Sequence, residues 1–192
     1  MKVMSGLILG LLATTNVMAL EGKYNLDASH AKVGFEVAHM VISNVEGRFT
    51  KFEGSLTAGK KLSDLKIESS IDVNSITTDD AEREKHLKSA DFFDAEKFPK
   101  MTFVSTSVSG TESKLKIKGK LTIKNVTKEV VLDGKISKEI KDPWGNTRVA
   151  ISGKTKINRQ DFGLTFNKVA EFGPVVGDEV TINLSSEAIK AK

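Results

Sequence analysis

Three histidines, His30, His39 and His86, are the only imidazoles in this 192-residue chain, and there is no cysteine. A metal centre would have to draw on those three with a carboxylate, but none has a partner at metal-ligand spacing, so no metal is expected. Thiolate sites, disulfides and a cysteine nucleophile are excluded outright. The sequence carries no nucleophile elbow, phosphate loop or dinucleotide fingerprint. A Ser–His–Asp triad assembled in space stays open, because Ser and Asp are too common here to argue either way. What remains is a set of polar groups at strand ends and on one helix: His39, Arg83, His86, Asn158, Arg159 and Asp161. Two Arg and two His beside an apolar cavity suit a ligand with a greasy body and a polar or anionic head, which Arg would hold by paired, charge-assisted bonds. The competing reading is plain: Arg159 and Asp161 pair with each other at a turn, and His39 is a satisfied core residue.

The elements that must position these groups are nearly all strands. The exception is the stretch from Asp79 to Pro99, where the alternation of apolar and polar residues stops. Thr78 or Asp79 can cap a helix over about 79–91, and Asp80, Glu82 and Glu84 place negative charge in its first turns. Arg83, His86, Leu87 and Ala90 then share one face. Such a helix either covers the mouth of a barrel, with Phe92, Phe93 and Phe98 wedging its far end, or stands solvated with its Arg and His paired to its own acids.

Elsewhere the period is two. Tyr24–Met40 carries Val33, Phe35, Val37 and His39 in phase; Asn44–Gly47 reads as a turn and Arg48–Leu56 as the next strand. Leu65–Val73, Met101–Val108, Leu115–Ile123, Thr127–Ile136, Val149–Ile157 and Val180–Ser186 continue the pattern. About eight strands joined by short turns, with no βαβ rhythm, make an all-β antiparallel fold, either a closed meander barrel or a sandwich. Gly54, Gly119, Gly134 and Gly153 fall on the inward phase. Small inward residues leave room for a slender ligand in an eight-stranded barrel, although glycines also serve curvature.

Residues 1–19 read as a cleaved signal peptide: Lys2, then an apolar run too short to span a bilayer, then Val17-Met18-Ala19 with small residues before a cut. That leaves one domain, 20–192, exported to the periplasm. Removing Lys2 takes the formal net charge from +4 to +3. Lys114, Lys116, Lys118 and Lys120 alternate with Leu115, Ile117 and Gly119, which makes them one solvated strand face. Nucleic-acid binding is not expected.

Ordered blocks run through the chain: Tyr24-x-Leu26-Asp27-x-x-His30, Val33-x-Phe35-x-Val37-x-His39, Gly47-x-Phe49-x-x-Phe52-x-Gly54, Arg83-x-x-His86-Leu87-x-Ser89-x-Asp91-Phe92-Phe93, Phe98-Pro99-x-Met101-Thr102-Phe103, and Ile157-Asn158-Arg159-x-Asp161-Phe162-Gly163-Leu164. With Val176-Gly177-Asp178 they resemble the YceI-like, polyisoprenoid-binding family of periplasmic proteins, from Tyr24 to about Ala188. The resemblance implies a lipocalin-like antiparallel barrel of eight strands with a short helical insert. It also implies an apolar tunnel for a polyprenyl chain, an isoprenoid quinone or a similar amphiphile. It implies a binder or carrier and not an enzyme, with no cofactor beyond the bound lipid. Phe35, Val37, His39, Arg83, His86, Phe103, Asn158 and Arg159 sit in the matching blocks and are the expected cavity-wall or head-group contacts. The partners expected are that lipid, a transient inner-membrane donor or acceptor, and a second copy in a homodimer. Two departures stand out: Asn125 where relatives often have Gly, and Glu84 where Asp commonly follows the Arg.

Overall fold

A computed structural model describes residues 20–170 and 173–192; the expected leader, 1–19, lies outside them. Its strands are β1 (Gly22–His39), β2 (Ser43–Phe49), β3 (Phe52–Ala58), β4 (Lys66–Asp72), β5 (Ile76–Thr77), β6 (Lys100–Thr111), β7 (Lys114–Ile123), β8 (Val126–Ile136), β9 (Ile140–Lys141), β10 (Thr147–Asn158), β11 (Val169–Ala170), β12 (Gly173–Pro174) and β13 (Val176–Lys190). One helix, α1 (Ala81–Lys88), is inserted between β5 and β6. Eight strands close a ring in the order β1-β3-β4-β6-β7-β8-β10-β13, and β13 returns to β1 antiparallel. The ring is the expected eight-stranded antiparallel barrel with a helical insert.

Strict alternation builds the wall. In β7, Leu115, Ile117, Gly119, Leu121 and Ile123 are buried while Lys114, Lys116, Lys118 and Lys120 are exposed. Lys116 and Lys118 pair across the outer face with Asp133 and Glu129. A one-residue slip would turn the lysines inward, so the register is tightly held.

The first turn departs from expectation. It lies at Met40–Val41, and residues 44–47 belong to β2. The N–H of Ile42 bonds the carbonyl of His39, and Met40 and Val41 both have positive φ, which is the type I′ hairpin geometry. Asn-Gly normally marks that turn; Met-Val hides it. Gly47, which suggested a turn, instead faces Phe35 across the ladder, and a Cβ there would overlap the ring.

Helix α1 is shorter than the expected 79–91: it starts two residues later, at Ala81, and ends three earlier, at Lys88, where Ser89 caps it. Asp80, rather than Thr78 or Asp79, is its cap and accepts the N–H of Arg83 at 3.0 Å. Glu84 reaches back to the hydroxyl of Thr77 (2.6 Å) and the N–H of Thr78 (2.9 Å), which holds its carboxyl below the usual range and ties α1 to β5. After β10, Arg159–Phe162 form one 3-10 turn; Asn158 caps it and Gly163 (φ 75°) ends it.

The lower end, where β1 begins and β13 ends, is solid. Leu20, Tyr24, Leu62, Leu65, Leu115, Ile136, Val149 and Ala188 fill it. The closed ring makes the fold a barrel and not a sandwich, packed solid at one end and hollow above.

Candidate ligand cavity

Above that plug the inward residues enclose a cavity of about 230 Å3. An apolar void of about 150 Å3 already stays dry and admits a benzene-sized guest, so this space is more than a packing defect. Val33, Phe35 and Val37 of β1, Phe103 of β6, Ile117 and Leu121 of β7, and Val180, Ile182 and Leu184 of β13 form much of its wall. It borders β13 from Val176 to Ser186. Ten residue steps cover ~33 Å of strand, or ~25 Å along the axis at a 35–45° tilt. The space is long and narrow.

At the upper end, where β7 turns into β8 and β10 ends, the insert caps the cavity with Leu87, Phe92 and Phe93. His86 stands edge-on to Phe92 and Phe166, with ring centroids 5.0 and 4.7 Å away, locking the insert to the segment after the 3-10 turn. On one side the wall is unzipped. β1 pairs with β3 only up to Asn25 and with β2 only from Val33, and Leu26, Ala31 and Lys32 face Glu53, Gly54 and Ser55 around the cavity there. Residues 28–30 bulge out of the β1–β13 ladder at the same level.

The interior offers almost no polar group. Thr155 donates to the carbonyl of Val131 (2.9 Å) and Ser186 to that of Glu187 (2.8 Å), so both hydroxyls are spent on the wall. Ser69 is the remaining hydroxyl on the inward phase. Lys32, Glu53 and Glu68 border the cavity from the outward phase, with exposed side chains. Among the described residues Arg159 is the one buried charge, 3% exposed. Its guanidinium has five N–H donors. Nε binds the carbonyl of Gly177 (2.8 Å), Nη1 those of Leu164 and Phe166, and Nη2 that of Val176 and the carboxylate of Asp178 (3.2 Å). Burial lowers its pKa, opposed by Asp178. With all five donors engaged, Arg159 pins the upper rim and has none left for a head group.

Of the eight expected contacts, Phe35, Val37, Phe103 and Arg159 border the cavity. The other four stand off it. Arg83 pairs with Asp80 at 2.9 Å and His86 with Asp91 at 2.9 Å, both partly exposed, as the competing reading had it. Asn158 is occupied as a cap for the N–H of Gln160. His39 ends β1 beyond the cavity lining, opposite Ser43 and Val176. Of the expected helix face, Arg83, His86, Leu87 and Ala90, only Leu87 borders the cavity. Of the inward glycines, Gly54 and Gly153 border the cavity, whereas the space before Gly119 is filled by the ring of Phe103.

The lower end holds a polar network that sequence reading missed, because its members are far apart in the chain. Arg148 binds Asp142 (2.7 Å), Asp27 (2.7 Å) and Glu187 (3.1 Å). Arg148, above all, holds the Asp142 carboxyl well below the usual range. The Ser29 hydroxyl, then Arg148, do the same for Asp27. Tyr24 donates to Glu139, which Lys190 also meets at 3.0 Å, and burial pushes the phenol up. Asp27, Ser29 and His30 are neighbours, but Ser29 Oγ (2.9 Å) and Asp27 Oδ2 (3.0 Å) meet the same ring nitrogen, Nδ1. A proton relay needs the acid and the nucleophile on opposite nitrogens. Among the described residues, no group of three or more His, Asp or Glu is placed to hold a metal.

Comparison with known proteins agrees with this architecture. "Protein YceI" of Salmonella newport is 37% identical over 183 residues, covering 95% of this chain and 93% of the relative. The crystal structure of Burkholderia cenocepacia BcnA superposes with a TM-score of 0.73 at 24% identity, covering 84% of this chain and 98% of that one. A polyisoprenoid binding domain from Saccharophagus degradans superposes with a TM-score of 0.66 at 14% identity, covering 88% of this chain and 98% of that one; at these identities the two structures speak to the fold. Residues 24–188 match the model of the YceI-like domain, and the chain belongs to that family.

Proposed function

We propose that this protein is a periplasmic carrier that takes the tail of a long-chain isoprenoid, such as a polyprenyl lipid or an isoprenoid quinone, into the upper cavity and does no chemistry on it. The observation that carries the reading is a long apolar space whose polar groups are nearly all spent on the wall. Phe35, Val37 and Phe103 grip the chain, and the head stays outside the apolar space. The family match and the polyisoprenoid-binding neighbour support the choice of ligand class. Tail burial contributes ~0.8 kcal/mol per methylene. Affinity should therefore climb with chain length until the cavity is full and then level off.

The test is a titration of polyprenyl phosphates of increasing length against the mature protein, with recovery and mass analysis of the lipid afterwards. A length-dependent affinity with the lipid recovered intact supports a carrier. Affinity indifferent to length moves the weight to the head group, and a changed lipid mass establishes an enzyme. No uptake at any length overturns the reading.

A further inference from the structure

The cavity is closed at both ends of the barrel. Leu87, Phe92 and Phe93 cap it above, and the plug fills the space below. A chain that enters must therefore pass through the wall, and the wall is not uniform. β10 and β13 pair at every position from Arg148 to Asn158, and β7 and β8 from Leu115 to Ile123. Parting such strands breaks a ladder, at about 1 kcal/mol for each bond. β8 and β10 pair only from Asp133 to Ile136. The rest of that seam is covered: Thr155 bonds across it to Val131, and the 3-10 turn packs against both strands. The seam along β1 is different. Its pairing stops at Asn25–Ser55 and resumes at Val33–Phe49, so no register pair joins residues 26–32 to 50–54. The cavity reaches both edges of this gap, at Leu26, Ala31 and Lys32 on one side and at Phe52, Glu53 and Gly54 on the other. What crosses it is a side chain: Leu26 Cδ1 lies 3.4 Å from where a Cβ on Gly54 would sit. Arg148 anchors the lower edge through Asp27 at 2.7 Å, and the β1–β2 ladder anchors the upper edge from Val33. Between these anchors residues 28–30 have no partner on β13 and are exposed, which gives β1 local slack.

We propose that the gap between β1 and β3 is the entrance of the cavity, a side portal for an apolar chain, with Leu26 as the gate that lies over Gly54. Opening it moves one side chain and a slack segment and breaks no rung between the two strands. The exposed charges of Lys32, Glu53 and Glu68 border the cavity here. They keep this stretch of wall wet, so a polar head stays hydrated while the tail lies within. The proposal rests on the carrier reading and adds where its ligand goes in and where the head remains.

The chain has no cysteine, so an introduced pair can be bridged selectively. Lys32→Cys/Glu53→Cys, joined on the folded protein by a short, reducible bis-methanethiosulfonate, bars the gap. The control, Lys23→Cys/Thr57→Cys, bridges the same two strands below the gap, where they already pair. The probe is a geranylgeranyl chain carrying an anthraniloyl fluorophore, with loading followed by stopped flow and the amount bound by native mass spectrometry. The barred protein should load at least about tenfold more slowly than the control, and reduction should restore the rate. Leu26→Ala should speed uptake and release together, whereas a residue that only lines the cavity would change release alone. Equal loading rates for the barred and control proteins overturn the entrance and leave the carrier reading standing, as does a Leu26→Ala variant whose uptake is unchanged. A parent protein that loads no probe overturns both.

Discussion

At the lower end of the barrel Leu115, Val149 and Ala188 interlock, and Arg148 gathers Asp27, Asp142 and Glu187 over them. At the upper end Phe35, Val180 and Ile182 look into open space, and Met40 and Val41 hold a turn that suits other residues. The two ends share strands and alternation, so the difference lies in what the inward positions meet. Below, each apolar atom has a partner. Above, dispersion contacts are forgone along a whole wall, and the room left is the length of a chain. Stability is concentrated where the molecule does nothing else, and the space it leaves is where a ligand fits.

Truncation should break this symmetry most visibly. Leu115→Ala removes a plug residue and should cost about 2–5 kcal/mol in urea unfolding. Leu184→Ala, on the hollow wall, should cost about half as much, because its methyls already face a void. Equal costs would mean that the cavity closes in solution. Arg159→Gln tests the one place where the upper end is pinned. It strips donors from the carbonyls of Gly177, Leu164 and Phe166, and about 3 kcal/mol of stability should go with them.

Filling the void should separate binding from stability. Ile182→Trp should leave the unfolding free energy within about 1 kcal/mol, since the added ring meets empty space rather than a packed core, and should abolish uptake of a long chain. Acid should weigh most on the lower end, with Glu84 a smaller contribution at the insert. Asp27 and Asp142 have depressed carboxyl pKa values in the fold. Their contribution is fully present above the ordinary Asp value of about 3.9 and is lost as pH falls further. The urea midpoint should hold from pH 7 to about 5 and drop below about 4, and Arg148→Gln should flatten that acid limb. The smallest effect is expected at the insert: Asp80→Ala removes the α1 cap and should cost about 1 kcal/mol.

Much of this was legible from period alone. The alternation of Leu115, Ile117, Leu121 and Ile123 with lysines gives a strand, its outward face and its register. The break at Asp79 gives the insert. The helix cap and the first turn were misplaced because Asp80 outcompetes its neighbours and because Met-Val carries no turn signal. Parity tells inward from outward but not filled from hollow: Ile136 and Ile182 look alike in sequence, yet one is in the plug and the other on the cavity wall. The polar groups misled most. Arg83, His86 and Asn158 are drawn to local partners a few residues away. The network on Arg148 joins positions more than a hundred residues apart, which no spacing rule reveals.

The measurement that bears most directly on the account is native mass spectrometry of the mature protein after exposure to a polyprenyl lipid, run beside Ile182→Trp. The account predicts one chain retained per protein and none on the variant. A clean protein mass for both, with the parent folded, would contradict it and leave a barrel whose hollow serves something other than a lipid tail.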